Sequence, residues 1–104
     1  MITRRKSRYI IIRSTKPFSA SMMNLFNSKL SEIIGSIGMC EASPYFVKSI
    51  DDNSFIIRVS RGSERRVILA LSFLKFDGFS FCSILTSGTI KALLKKYNLI
   101  ASRP

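Results

Sequence analysis

The sequence contains no histidine. That removes the side chain most often used for general acid–base work near neutral pH, and with it any Ser/His or Cys/His nucleophile pair. Cysteine is nearly absent as well: Cys40 and Cys82 stand alone, far apart and without CxxC spacing. They read as small buried residues rather than as a disulfide or a metal site. A zinc site without histidine would need carboxylates, and the 6 Asp and Glu residues are scattered. Asp51 and Asp52 adjoin, but followed by Asn53 they read as a solvated turn. No GxxxxGK[ST] phosphate loop occurs. No catalytic residue, no metal and no cofactor bound by the protein is expected.

Long apolar runs are missing too, and no stretch approaches the length of a membrane span. Arg4-Arg5-Lys6 makes a basic start, but the apolar run behind it, Tyr9 to Ile12, is too short for the core of a signal peptide. The expected location is the cytosol or the nucleus, without a membrane partner.

What the chain has in excess is positive charge. Lys and Arg number 17 against 6 acidic residues, a net charge of +11 on 104 residues. So large a field on a small domain exceeds what solubility needs and favours a polyanionic partner: RNA, DNA or an anionic membrane. Hydrophobic residues make up 46% of the chain, enough for a packed core and too many for disorder. The expectation is a single domain over residues 1–104, with a basic arm at 1–6 and a short tail at 98–104.

The apolar pattern alternates between strand and helix periods. Ser7 to Ser14 reads as an interior strand, with Tyr9 and Ile11 on one face and Ile10 and Ile12 on the other. After Lys16-Pro17-Phe18-Ser19, with Ser19 or Ser21 as cap, Met22, Met23, Phe26, Leu30, Ile33, Ile34 and Ile37 form a helical stripe that Gly38 ends. A second strand, Met39 to Ile50, carries Pro44 and so belongs at an edge or a bulge. It forms a hairpin with a third strand, Ser54 to Ser60, on which Phe55, Ile57 and Val59 face one way and Ile56 and Arg58 the other.

A helix over Ser63 to Leu74 follows, with Val67, Ala70, Leu71 and Leu74 as its buried face. Phe76-Asp77-Gly78 then turns the chain into a fourth strand, Phe79 to Leu85. A last helix, capped by Ser87, presents Ile90, Leu93, Leu94 and Tyr97 on one face. The predicted class is α+β: a ferredoxin-like, RRM-like βαββαβ sandwich with an extra C-terminal helix.

Many RNA-binding domains of this order stack bases on aromatics of the central strands. The third strand here lacks the Lys/Arg-Gly-aromatic pattern, and Phe55 and Tyr9 are better read as packing residues. Binding through Lys and Arg to phosphates, which recognises shape more than sequence, is the favoured mode.

Three stretches then resemble one family. They are Lys6-Ser7-Arg8-Tyr9-Ile10; Ile56-Ile57-Arg58 leading through Arg61 into Val67-Ile68-Leu69-Ala70-Leu71; and Ser87-Gly88-Thr89-Ile90-Lys91. In this order and spacing the chain resembles the small ribonuclease P protein of archaea and eukaryotes, the Pop-five family, from Lys6 to about Tyr97. The Asn24–Gly38 helix and the second strand match only in pattern, and Gly62 and Ser63 stand where the family often has bulkier charged residues. The long acidic tail of some eukaryotic members is absent, so the archaeal type is expected.

The resemblance implies a non-catalytic, RNA-binding subunit of ribonuclease P, whose RNA catalyses removal of the 5′ leader from precursor tRNA. The implied partners are ribonuclease P RNA, a larger barrel-like ribonuclease P protein and a second copy of this chain, joining two such pairs into a heterotetramer. Precursor tRNA is met indirectly, and magnesium serves the RNA catalyst. The implied location is cytoplasmic for the archaeal type and nuclear for a eukaryotic one.

The candidate RNA-binding residues are Arg4, Arg5, Lys6, Arg8, Arg61, Arg65, Arg66, Lys91, Lys95 and Lys96, with the Ser87-Gly88-Thr89 turn. That turn either presents backbone amides to a phosphate or merely orients the last helix, and both readings stand. The alternatives to the family reading are another structural RNA-binding protein of this fold, such as a ribosomal protein, an enzyme of ferredoxin-like fold, and a membrane-surface protein using the basic terminal helix.

Overall fold

The computed structural model describes residues 7–101. Its strands are β1 (Ser7–Ser14), β2 (Tyr45–Asp51), β3 (Ser54–Ser60), β4 (Lys75–Phe76) and β5 (Phe79–Ser87), and its helices are α1 (Met23–Ala42), α2 (Glu64–Leu71) and α3 (Ile90–Ala101). The sheet runs β2-β3-β1-β5-β4 with every neighbouring pair antiparallel. This is the expected ferredoxin-like α+β order, with β1 and β3 inside and β2 at an edge.

Period-two alternation divides the strand residues between two apolar clusters. Ile10, Ile12, Phe55, Ile57 and Val59 join Phe26 and Leu30 of α1 and Val67 and Leu71 of α2 in the larger one. Seven of the 8 phenylalanines meet there, with Phe18 stacked on Phe55 at 4.2 Å between centroids. Ile11 and Ile56 point the opposite way and meet Leu93 of α3, with Tyr9, Val47, Leu85, Leu94 and Tyr97 packed around them. Thus α1 and α2 cover one face of the sheet, and α3 lies on the other. Phe55 is fully buried in the first cluster and Tyr9 is held in the second, so neither offers an open platform for a base.

Several boundaries differ from expectation. Gly38 does not end the first helix, and Met39–Ala42 are helical rather than the start of a strand. The helix absorbs its break at Gly35, whose φ of 76° and ψ of 172° lie in a region open essentially only to glycine. It stops at Ser43, in a left-handed conformation, whose amide donates to Met39 O (2.8 Å). Pro44 therefore precedes β2 instead of lying within it. Neither Ser19 nor Ser21 caps α1; their hydroxyls bond to each other at 2.8 Å ahead of a short 3-10 turn, Ala20–Met22. The break at Gly35 also redirects the apolar stripe: Met23, Phe26 and Leu30 are buried, whereas Ile37 is 76% exposed.

Helix α2 ends at Leu71, and Ser72, Phe73 and Leu74 follow in tightened turns. Phe76 belongs to the two-residue edge strand β4, paired with Phe79. Asp77 (φ 48°) and Gly78 (φ 82°) supply the positive dihedrals that such a hairpin turn requires. The residues expected to begin a tail at Asn98 continue α3 as far as Ala101.

Candidate nucleic-acid interface

The start of β1 and the ends of β3 and β5 meet at one rim of the sheet. Ser7 is opposite Ser60 and Tyr9 is opposite Ser87, so the residues next along the chain, Arg61 and Gly88, converge on Arg8. Ser7, Arg8, Arg61 and Gly88 line an open cleft of about 370 Å³. Arg8 Nη1 lies 3.6 Å from the point a Cβ would occupy on Gly88, so the guanidinium rests against the backbone of the turn.

Glu64 opens α2 beside this cleft. Its Oε2 accepts the Gly62 N–H at 2.7 Å. Partial burial pushes its carboxyl up, but the amides of Glu64 and Gly62 and the charges of Arg8 and Arg61 outweigh that and hold it below the usual glutamate value. Among the described residues no acceptor is hydrogen-bonded to Arg8 or Arg61 and neither forms a direct ion pair. The cleft therefore presents two cations with open hydrogen-bonding capacity.

Helix α3 departs from the same rim. Thr89, not Ser87, is its cap: Thr89 Oγ1 accepts the Ala92 N–H at 3.2 Å, while Ser87 is the last residue of β5 and its Oγ accepts the Thr89 N–H only at 3.5 Å. Lys91, Lys95 and Lys96 are exposed along the helix, off the face that Leu93 buries. At the far end the Tyr97 hydroxyl donates to Asp51 Oδ2 at 3.0 Å, so Asp51 is a docking point for α3 as well as a turn residue.

The remaining candidates separate from this rim. Arg65 is exposed on α2. Arg66 reaches back to α1, where Nη1 donates to Glu41 Oε2 at 3.0 Å, and it borders an apolar groove with Ile33, Ile34, Leu69, Ala70 and Phe73. Arg4, Arg5 and Lys6 lie outside the described residues. Glu64 and Ser7 were not among the candidates. Ser7 sits inside the Lys6–Ile10 motif, while Glu64 gave only the signal of an acid at a helix start and needed the strand register to join it to the arginines.

Cys40 and Cys82 are both exposed, contrary to the reading of them as buried. Cys40 lies in the last turn of α1 beyond the break at Gly35, and Cys82 is on β5 next to the buried Phe81. Among the described residues no three His, Cys, Asp or Glu side chains gather as a metal site, and no helix is long and apolar enough to cross a membrane.

The model of the Rpp14/Pop5 family matches residues 4–98. The chain belongs to that family. All three motifs that carried the resemblance fall within the match, and two of them supply the cleft's Arg8 and Gly88 while the third leads through Arg61. No curated protein matches the chain significantly by sequence. Among solved structures, a chain in the cryo-EM structure of yeast ribonuclease MRP shares the fold, with a TM-score of 0.65 and 14% identity over 97% of this chain and 98% of that one. The Rpp14/Pop5 chain thus has its α3 over the sheet surface and its convergent arginines at the rim.

Proposed function

We propose that this Rpp14/Pop5 protein is a non-catalytic, RNA-binding subunit of a ribonuclease P or ribonuclease MRP type of ribonucleoprotein. The observation that carries the reading is the rim: in a chain of net charge +11, Arg8 and Arg61 converge beside Gly88 with no bonded acceptor among the described residues. Family membership and the fold shared with a chain of yeast ribonuclease MRP support the same assignment. In this reading Lys and Arg neutralise phosphates and hold the folded RNA in its active shape, recognising backbone geometry more than base sequence.

The chemistry of 5′-leader removal from precursor tRNA then belongs to the RNA. Magnesium is proposed to serve that RNA. The larger barrel-like ribonuclease P protein and a second copy of this chain are the proposed protein partners. The proposed location is cytoplasmic for an archaeal-type protein and nuclear for a eukaryotic one.

The test is capture of the tagged full chain from native extract, with the bound RNA sequenced. Ribonuclease P or MRP RNA is expected, and ribosomal RNA in its place would make the chain a ribosomal protein. A second arm incubates the pure protein with precursor tRNA and magnesium. Specific 5′ cleavage without any RNA subunit would overturn the non-catalytic assignment.

A further inference from the structure

Resting on the RNA-binding reading, we infer that the Arg8–Arg61–Gly88 cleft is a discrete anchoring subsite for one RNA phosphodiester, distinct from the diffuse lysine surface of α3. Three observations carry it. The two guanidiniums, one from β1 and one from the turn after β3, line one open cleft of about 370 Å³, which leaves ample room for a phosphate and its ester oxygens. Neither is occupied by a bonded acid among the described residues, although both lie within the field of Glu64. The floor of the cleft is glycine backbone, against which Arg8 already rests, so no side chain blocks approach at Gly88.

Two guanidinium forks can each donate in parallel to the non-bridging oxygens of one phosphate, a geometry that lysine ammoniums do not reproduce. Lys91, Lys95 and Lys96 stand exposed on a helix and suit looser, salt-screened contacts. Glu64 has a defined part as well. Its carboxylate is the local counter-charge that holds the arginines' field in check before RNA arrives, and it opposes the incoming phosphate.

The experiment measures binding of the full chain to a ribonuclease P RNA transcript across a salt series. The Arg8→Gln/Arg61→Gln double variant is expected to weaken binding on the order of tenfold or more and to flatten the log K against log salt slope by roughly 0.7–0.9 units, the share of one phosphate. Arg8→Lys/Arg61→Lys keeps both charges but loses the forks, and is expected to recover the slope without recovering the affinity. Glu64→Gln retains an acceptor for the Gly62 amide and is expected to tighten binding roughly two- to fivefold.

Wild-type binding with unchanged affinity and slope in the folded double variant would overturn the subsite while leaving RNA binding intact. A wild type that binds no RNA would overturn the reading beneath it. If the double variant does not fold by circular dichroism, Glu64→Gln decides: tighter binding supports the subsite, and unchanged or weaker binding overturns it. Inorganic phosphate is the control ligand, and its capture at micromolar concentration in the same cleft would make this a site for free phosphate and overturn the phosphodiester assignment.

Discussion

Tyr97 and Asp51 are joined by a 3.0 Å hydrogen bond that fastens the far end of α3 to the β2–β3 turn. Tyr97→Phe keeps the ring against Ile11 and Ile56 and removes only the hydroxyl. Because Asp51 is exposed, the expected cost sits at the low end for a hydrogen bond, about 0.5 kcal/mol, read from urea unfolding. A loss above about 2 kcal/mol would mean that the hydroxyl does more than this bond.

The same contact gives a pH dependence. Partial burial raises the Asp51 carboxyl, but bonds from the Asn53 amide, the Tyr97 hydroxyl and Ser54 outweigh it and hold the group below its usual 3.8. A group lowered in the folded state contributes stability above its unfolded value and loses that contribution as pH falls through the folded one. Asp51→Asn should therefore narrow the stability difference between pH 6 and pH 3. An identical acid profile in wild type and variant would contradict this.

Gly35 holds a backbone conformation that other residues reach only under strain. Gly35→Ala is expected to cost about 1–3 kcal/mol even though nothing lies within 4 Å of its Cβ position, so strain and not crowding is the cause. Thermal unfolding checks it, and an unchanged midpoint would count against it.

In the proposed RNA-binding reading, the lysines of α3 act through charge alone. Replacing Lys91, Lys95 and Lys96 by Gln should leave circular dichroism unchanged, since all three are exposed. If all three touch phosphates, the salt slope flattens by about two units. An unchanged slope in the folded variant would remove α3 from the RNA surface.

Apolar exposure is the last point of test. Helix α3 covers Ile11 and Ile56, and the exposed apolar groups include Leu69 on α2 and Phe73 just beyond it, 66% and 71% exposed. Leu69→Ser/Phe73→Ser should reduce hydrophobic-dye binding and self-association without lowering stability. Dye binding equal to that of wild type would place the sticky surface elsewhere.

The strands and their faces were legible because alternation in Tyr9–Ile12 and Phe55–Val59 reports two buried surfaces directly. The end of α1 was not. Gly35 and Gly38 carry the same local signal, and only the packing of Gly38 against Ile34 separates a helix residue from a break. The site was half legible. Arg8, Arg61 and Gly88 stood among the candidates as separate motifs, but their meeting depends on strand register, which no single stretch encodes. Thr89 and Ser87 are both good caps, and the choice turned on where β5 stops. The cysteines were misread because their residue type favours burial, while their positions beyond a helix break and on a strand face put them outside.

The rim unites the beginning, middle and end of the chain, so an unfolded polypeptide has no such cleft to offer. Glu64 offsets part of the positive charge gathered there, and a bound anion would offset more. RNA bound at the assembled rim, as proposed, would favour the native state and raise its unfolding midpoint with RNA concentration, less whatever RNA the unfolded basic chain also attracts. In the proposed reading, an RNA that the protein steadies would steady the protein in return.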